Sequence, residues 1–382
     1  MTTTGVIPSS TSEASASSAP AGPGRITALD VARGAFLILS VTSVAFISPR
    51  PWSLIHAPWI GVRYIDLIFP LFVSLSGIGL AFAYKNHTPL RVTMRRISVL
   101  LLAGLLYNAV VQGTWDWATL EFTGPLQVYA ALVAVISLLH LVLRSWQGWA
   151  LMTLGSAALL AVAFSWYSAR CPGLMVSPTC NPSQLIDTRL FGQHMYGAGR
   201  AGHDPSGVIA TAGAFVTAAV GTTAGHLALA SRRGQWHLGS RRLLAWATTA
   251  FCVGFALTWL VPAFKRLWTP SFALMAAALG VVIFTVAFQA LDVPAKAPWT
   301  RTRLQLAHPL VALGRNSLLV YFGSHLLVIV MARQGPPDSL AHRLQAALSL
   351  GSGSRWGFIL FMLALWWITA LILHRRRIYI RA

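Results

Sequence analysis

The chain alternates long, continuously apolar stretches with short polar connections. Such stretches run approximately from 28 to 48, 62 to 84, 96 to 112, 125 to 143, 147 to 167, 207 to 230, 242 to 261, 270 to 291, 309 to 331 and 355 to 373. They are too long for strands, and a hydrocarbon core about 30 Å thick needs this length of helix. The pattern predicts an all-α, polytopic integral membrane protein with about ten transmembrane helices. Residues 1–24 break the pattern: they are rich in Ser, Thr, Ala, Pro and Gly and carry a single charge, Glu13. That segment lacks the basic and apolar regions of a secretory signal and reads as a disordered tail.

Composition supports the same class. Of 382 residues, 55% are hydrophobic and 10% charged, whereas a soluble domain carries about 25% charged residues. The net charge of +20 would suggest a nucleic-acid partner in a soluble protein. Here the basic residues sit in short clusters between apolar runs, so no nucleic-acid partner is expected. Alternating connections hold 17 and 10 Lys and Arg residues. Because cytoplasmic loops are the richer set, both termini are placed in the cytoplasm, and the loops 49–61 and 168–206 face outward. The reading divides the chain into the tail, 1–24, and a transmembrane domain, 25–382, with an outer loop at 168–206.

Cys171 and Cys180 lie nine residues apart in that outer loop, a placement that suits a disulfide in an oxidising compartment. Cys252 falls in an apolar span and reads as a packing residue. The spacing of the three cysteines matches no zinc pattern, so no metal is expected.

With only 9 acidic residues in the chain, a carboxylate beside an apolar span demands a reason, since ionised groups are costly in a bilayer. Asp30 and Asp66 stand out. Asp30 and Arg33 share a helix face and can neutralise each other, either as a plain ion pair or as part of a site. His56 precedes Ala57-Pro58-Trp59 at the outer end of the second helix. A neutral imidazole there can accept a proton or attack an activated carbonyl, or serve structure alone. Asp66 lies in Asp66-Leu67-Ile68-Phe69-Pro70, where the proline frees a carbonyl one turn earlier. Such a helix lines a cavity or is simply kinked.

A second group, Gly314-Arg315-Asn316-Ser317 with Tyr321 and His325, sits in an apolar span. Arg315 there needs a buried anion, a ligand or a route to the interface. A third, His203-Asp204-Pro205-Ser206-Gly207, reads as a helix start capped by Asp204 or Ser206. Lys265, Arg266 and Trp268 lie on the outer side, with Trp268 as an interfacial anchor and the two cations as a hint of an anionic ligand.

In this order the segments resemble the heparan-alpha-glucosaminide N-acetyltransferase family and its bacterial relatives among transmembrane acyltransferases. They are Leu29-Asp30 with Arg33-Gly34, His56 to Gly61 with Asp66 to Pro70, the Cys171–Cys180 loop, and Asp204 to Gly207. Lys265 to Trp268, Gly314 to Ser317 and the basic tail ending in Arg377-Ile378-Tyr379 complete the series. The resemblance covers most of residues 25–382. It implies transfer of an acetyl group from cytoplasmic acetyl-CoA to a sugar amine or hydroxyl across the membrane, with His56 catalytic as acetylated carrier or general base. Two segments depart from the family pattern. Thr42-Ser43-Val44 replaces a region that often holds an asparagine, leaving Ser43 as its substitute, and Phe122-Thr123-Gly124-Pro125 stands where the family has Arg-Ile-Pro-Gly.

The sequence therefore predicts a cavity lined by helices one, two and nine. His56 acts as nucleophile or base, with Asp66 orienting it or tuning it as a base. Asp30, Arg33, Trp59, Lys265, Trp268, Arg315, Asn316 and Ser317 are the substrate- and donor-binding set. Arg91, Arg95, Arg96, Arg241 and Arg242 are candidates to receive the donor's phosphates. Expected partners are acyl-CoA as co-substrate, a glycan or amino-sugar acceptor, the lipid bilayer and a second copy of the chain in a homodimer; no permanently bound cofactor is expected. The composition, rich in alanine and arginine, points to a bacterial plasma membrane. The rival class is a secondary transporter or flippase of a small anionic or glycan substrate, although no matching broken halves recur along the chain. A catalytically silent relative that only binds a partner or lipid is a further alternative.

Overall fold

The structure, a computed structural model, describes residues 26–47, 50–86, 89–231, 236–293, 297–349, 351 and 355–380. The tail 1–24 lies outside them, as do Arg25, Arg232, Arg233, Lys296 and Arg381 of the charge count. Thirteen α-helices follow one another among the described residues. They are α1 (Thr27–Ala45), α2 (Tyr64–Ala83), α3 (Leu90–Gln112), α4 (Pro125–Leu139), α5 (Trp146–Ser168), α6 (Pro182–Phe191) and α7 (Val208–Ser231). Then come α8 (Trp236–Leu257), α9 (Pro270–Leu291), α10 (Ala297–Arg315), α11 (Ser317–Ala332), α12 (Leu340–Ala347) and α13 (Trp356–Arg375). No strand occurs among the described residues.

Seven of these, α1, α2, α3, α5, α7, α9 and α13, are each long and apolar enough to cross a membrane, and the α10–α11 pair is an eighth if counted as one span. The other two expected spans do not meet that measure of length and apolarity, so the count of ten is not confirmed. α4 has 15 residues, and α8 is diluted by Arg241 and Arg242 in its first half. The expected continuous span at 309–331 is also corrected: the chain breaks at Asn316 and bends by 66°.

α2, α7 and α9 form the buried centre, with α1 and α10 packed alongside. Without a hydrophobic force between helices in lipid, close approach depends on small residues. A Cβ on Gly34 would collide with the Leu310 carbonyl oxygen, and one on Gly314 with that of Asp30, so these two glycines seat α1 against α10. Gly77 and Gly221 do the same for α2 and α7.

Helix starts are satisfied across the fold rather than locally. The Asp292 carboxylate accepts the Thr27 and Ala28 amides at 3.0 and 2.8 Å, capping α1 from the far end of α9. The expected capping of the helix at 208 by Asp204 or Ser206 is not what forms: the Val208 amide donates to Asp187 of α6 at 2.7 Å. Asp204 instead accepts from Thr123 Oγ1 at 2.6 Å and the Tyr196 amide at 3.1 Å, tying the loop at 168–206 to the start of α4. Asp187, Asp204 and Asp292 therefore matter to the fold as Asp30 and Asp66 do to the polar sites. Cys252 is exposed on α8, not packed inside.

Candidate functional site

Two polar sites lie at opposite ends of the α1–α2 hairpin. The first is built on the first turn of α2, where Asp66 is fully buried. Its carboxylate accepts the His56 ring at 2.7 Å, the Ala57 amide at 3.1 Å and the Arg63 amide at 2.9 Å. A negative charge in a helix's first turn also faces the positive end of the helix dipole. A carboxylate only accepts, so His56 Nδ1 carries a proton, and in the neutral imidazole Nε2 then keeps its lone pair. The His56 side chain is 50% exposed, which leaves Nε2 free to meet a substrate.

The segment holding His56 is pinned from several sides. The Arg63 guanidinium donates to the Ile55 and His56 carbonyls at 3.2 and 3.4 Å and lies over the Trp52 ring. Gly61 adopts φ 95°, which glycine alone accepts without strain, and its amide donates to the Ala263 carbonyl at 3.2 Å. Trp59 Nε1 donates to the Val176 carbonyl at 3.1 Å, and the ring packs on His203 and Phe264 with centroids 5.2 and 5.7 Å apart. Val176 belongs to the loop closed by the Cys171–Cys180 disulfide, so that covalent link supports the wall behind His56.

Lys265 forms a 3₁₀ turn with Arg266 and Leu267. Burial pushes the Lys265 ammonium below its ordinary range, against the opposing pull of the Asp66 charge. Arg266 Nη1 lies 3.1 Å from His203 Nε2, and burial followed by that cation holds the His203 imidazole low. Trp268 is not an interfacial anchor: it is 2% exposed, and its Nε1 donates to Thr217 Oγ1 at 2.9 Å. Ser43, read from the sequence as a candidate replacement for the family's asparagine, donates to the Leu39 carbonyl of its own helix at 2.7 Å, so its proton is already used.

The second site is a cavity of about 490 Å³ between the start of α1, the end of α2, the start of α3 and the α10–α11 break. Asp30, Arg33, Arg96, Arg315 and Ser317 line it, with Tyr129 and Tyr321 deeper. Helices one, two and nine of the sequence reading thus do meet around one cavity, joined by α3 and α4. Arg315 finds its buried anion: Nε donates to Asp30 at 3.5 Å and Nη1 to the Tyr379 hydroxyl at 2.9 Å. Arg33 Nη2 reaches the Leu75 carbonyl at 3.4 Å. Of the five candidate phosphate-binding arginines, only Arg96 is on the wall, with a buried Nε that has no partner. Arg91, Arg95, Arg241 and Arg242 are exposed elsewhere. Asn316 sits in the break beside the cavity, its Oδ1 accepting the Ile380 amide at 3.2 Å.

The sites are separated by little. Phe72 lines the cavity and Asp66 holds His56, six residues or about 9 Å apart along α2. Phe69 fills the interval, its ring 5.4 Å from those of both Tyr129 and Trp268. Tyr129 carried no sequence signal, because an isolated tyrosine in an apolar run looks like core. Among the described residues, no three His, Cys, Asp or Glu side chains come together as a metal site.

Fold and sites together define an integral membrane protein whose helix bundle carries a basic cavity at one end and a histidine–carboxylate pair at the other. The catalytic-region model of heparan-alpha-glucosaminide N-acetyltransferase matches residues 25–190, a span that includes both His56 and Asp66. Human heparan-alpha-glucosaminide N-acetyltransferase is 23% identical over 416 residues, covering 94% of this chain and 60% of the relative. The mouse protein of that name is 22% identical over 398 residues, covering 89% and 59%. The chain thus spans about 60% of the length of these relatives, and the resemblance read from the sequence extends along most of it.

Proposed function

We propose that the protein transfers an acetyl or other acyl group from cytoplasmic acyl-CoA, held in the basic cavity, to an amine or hydroxyl of a sugar arriving on the outer side at His56. The observation that carries this reading is the His56–Asp66 pair: a buried carboxylate orients a half-exposed imidazole so that Nε2 is bare. Three guanidiniums against one carboxylate suit the cavity to a phosphate-bearing donor. The names of the relatives support the acetyl group and the amino sugar.

Two sequences of bond changes fit the geometry. In one, Nε2 removes the acceptor's proton while its nitrogen or oxygen attacks the thioester carbonyl. The C–S bond breaks and the proton passes to the leaving thiolate. In the other, Nε2 itself attacks the thioester carbonyl, the C–S bond breaks to expel the CoA thiolate, and an acyl-imidazolium remains. The acceptor's nitrogen or oxygen then takes the acyl group, its proton ends on the thiolate, and neutral His56 is restored. Either way the thioester carbonyl must pass the Phe69 layer. The charge count supports a cytoplasmic cavity end, with both termini on that side, and the composition rich in alanine and arginine supports a bacterial plasma membrane.

The test is acyl-CoA consumption by purified protein in liposomes, wild type against His56→Ala, with amino sugars and a cell-wall glycan extract as acceptors. Consumption that depends on His56 is expected. A folded wild-type protein that consumes nothing with any acceptor overturns the proposal. The broken α10–α11 helix is a feature a transporter would share, and solute uptake without acyl-CoA would select that reading.

A further inference from the structure

A separate cavity of about 480 Å³ opens between the last turns of α1 and α11, next to the His56 segment. Its walls are apolar: Val44 of α1 and Ile47 just beyond it, Val328, Ile329 and Ala332 of α11, and Ile55, the residue before His56. Two cationic or proton-donating side chains, Arg50 and His342, complete the lining, and none of the lining residues is acidic. Arg50 Nε donates to the Phe46 carbonyl at 2.9 Å, which anchors the guanidinium by one edge and leaves its Nη groups available. His342 Nδ1 lies 2.6 Å from Ser339 Oγ, which also accepts the His342 amide at 3.3 Å. When the Ser339 hydroxyl gives its proton to Nδ1, the imidazole proton is on Nε2. His342 Nε2 is buried and has no partner.

A buried donor without an acceptor is costly unless something supplies the acceptor. An anionic oxygen bridging Arg50 and His342 would do so, and the apolar walls behind it would take a hydrocarbon chain. Resting on the acyltransfer reading, we infer that this cavity holds the chain and phosphate of a lipid carrier, so that the acceptor sugar meets His56 while still linked through phosphate to a membrane lipid. The apolar cavity places the chain within the bilayer and the two donors place the phosphate at its rim. The sugar beyond the phosphate then lies on the side of Ile55 and His56.

The test uses the full-length protein in nanodiscs with acetyl-CoA and two acceptors: methyl glucosaminide, and glucosamine joined through phosphate to a long isoprenoid. The wild type is expected to favour the lipid-linked sugar in kcat/KM by about a hundredfold, and Arg50→Gln and Ile329→Trp each to reduce that preference about tenfold, the scale of one lost charge-assisted contact. Isoprenyl phosphate alone is expected to raise the melting temperature of the wild type and not of Arg50→Gln. A preference near one, or a preference indifferent to both substitutions, overturns the inference and marks the cavity as a seat for ordinary bilayer lipid. His56-dependent transfer to the free sugar without stabilisation by isoprenyl phosphate leaves the acyltransferase standing and removes the lipid carrier. Stabilisation that Arg50→Gln abolishes, with no transfer to either acceptor, keeps the lipid site and removes the acyltransferase.

Discussion

The two ends of the α1–α2 hairpin solve opposite problems. At the cavity end, α1 begins and α2 finishes, and the polar side chains are mostly guanidiniums around a volume large enough for a ligand. At the other end the cavity is replaced by a tight hydrogen-bonded corner, in which one carboxylate is saturated by His56, Ala57 and Arg63. The first arrangement holds charge; the second fixes the tautomer and direction of one imidazole. On the acyltransfer proposal, binding and chemistry are separated along a single helix, and Phe69 packs between Tyr129 and Trp268 in the interval.

That division makes graded predictions. The largest effect is expected from His56→Ala, a loss in kcat of about 10²–10⁴-fold with the KM for acyl-CoA little changed; a change confined to that KM would break the comparison. Asp66→Asn should follow, at about 10²-fold in kcat, since an amide can present its NH₂ to Nδ1 and favour the wrong tautomer. Pre-steady-state acyl-CoA consumption measures both.

Gly314→Val tests whether the cavity end depends on the α1–α10 contact. A side chain there collides with the Asp30 carbonyl oxygen, and overpacking of this kind costs about 1–3 kcal/mol, to be read as a lowered melting temperature in detergent. Arg96→Gln sharpens the binding side: the KM for acyl-CoA should rise about tenfold, one charge-assisted contact, with kcat less affected. An equal fall in kcat would show that the cavity takes part in the chemistry.

The smallest effect concerns the wall behind His56. His203 is held low by burial and Arg266, so the unfolded chain takes up a proton near pH 6.5 that the folded one refuses. Stability should therefore decline as the pH falls below about 6.5. In His203→Gln that slope should flatten in pH-dependent thermal denaturation, unlike a purely structural loss, which would shift all pH values alike.

By itself, the order of apolar stretches and charge clusters determined the class of protein. Hydrophobicity is a local property, and a bilayer-spanning helix satisfies its backbone within one segment. For the same reason the sequence marked His56 and Asp66, ten residues apart at the entry to the second helix, and Arg315 as a charge in need of a partner. Only the tertiary structure decided what those residues touch. Asp30 meets Arg315 across the α1–α10 contact, Asp292 caps α1 from α9, and Asp187 rather than Asp204 caps α7. The break at Asn316 and the burial of Trp268 are also tertiary, since each is stabilised by neighbours remote in the chain. Partner choice among buried polar groups depends on which helices lie side by side, and helix adjacency in a membrane is set by small-residue contacts that leave little trace in the apolar pattern.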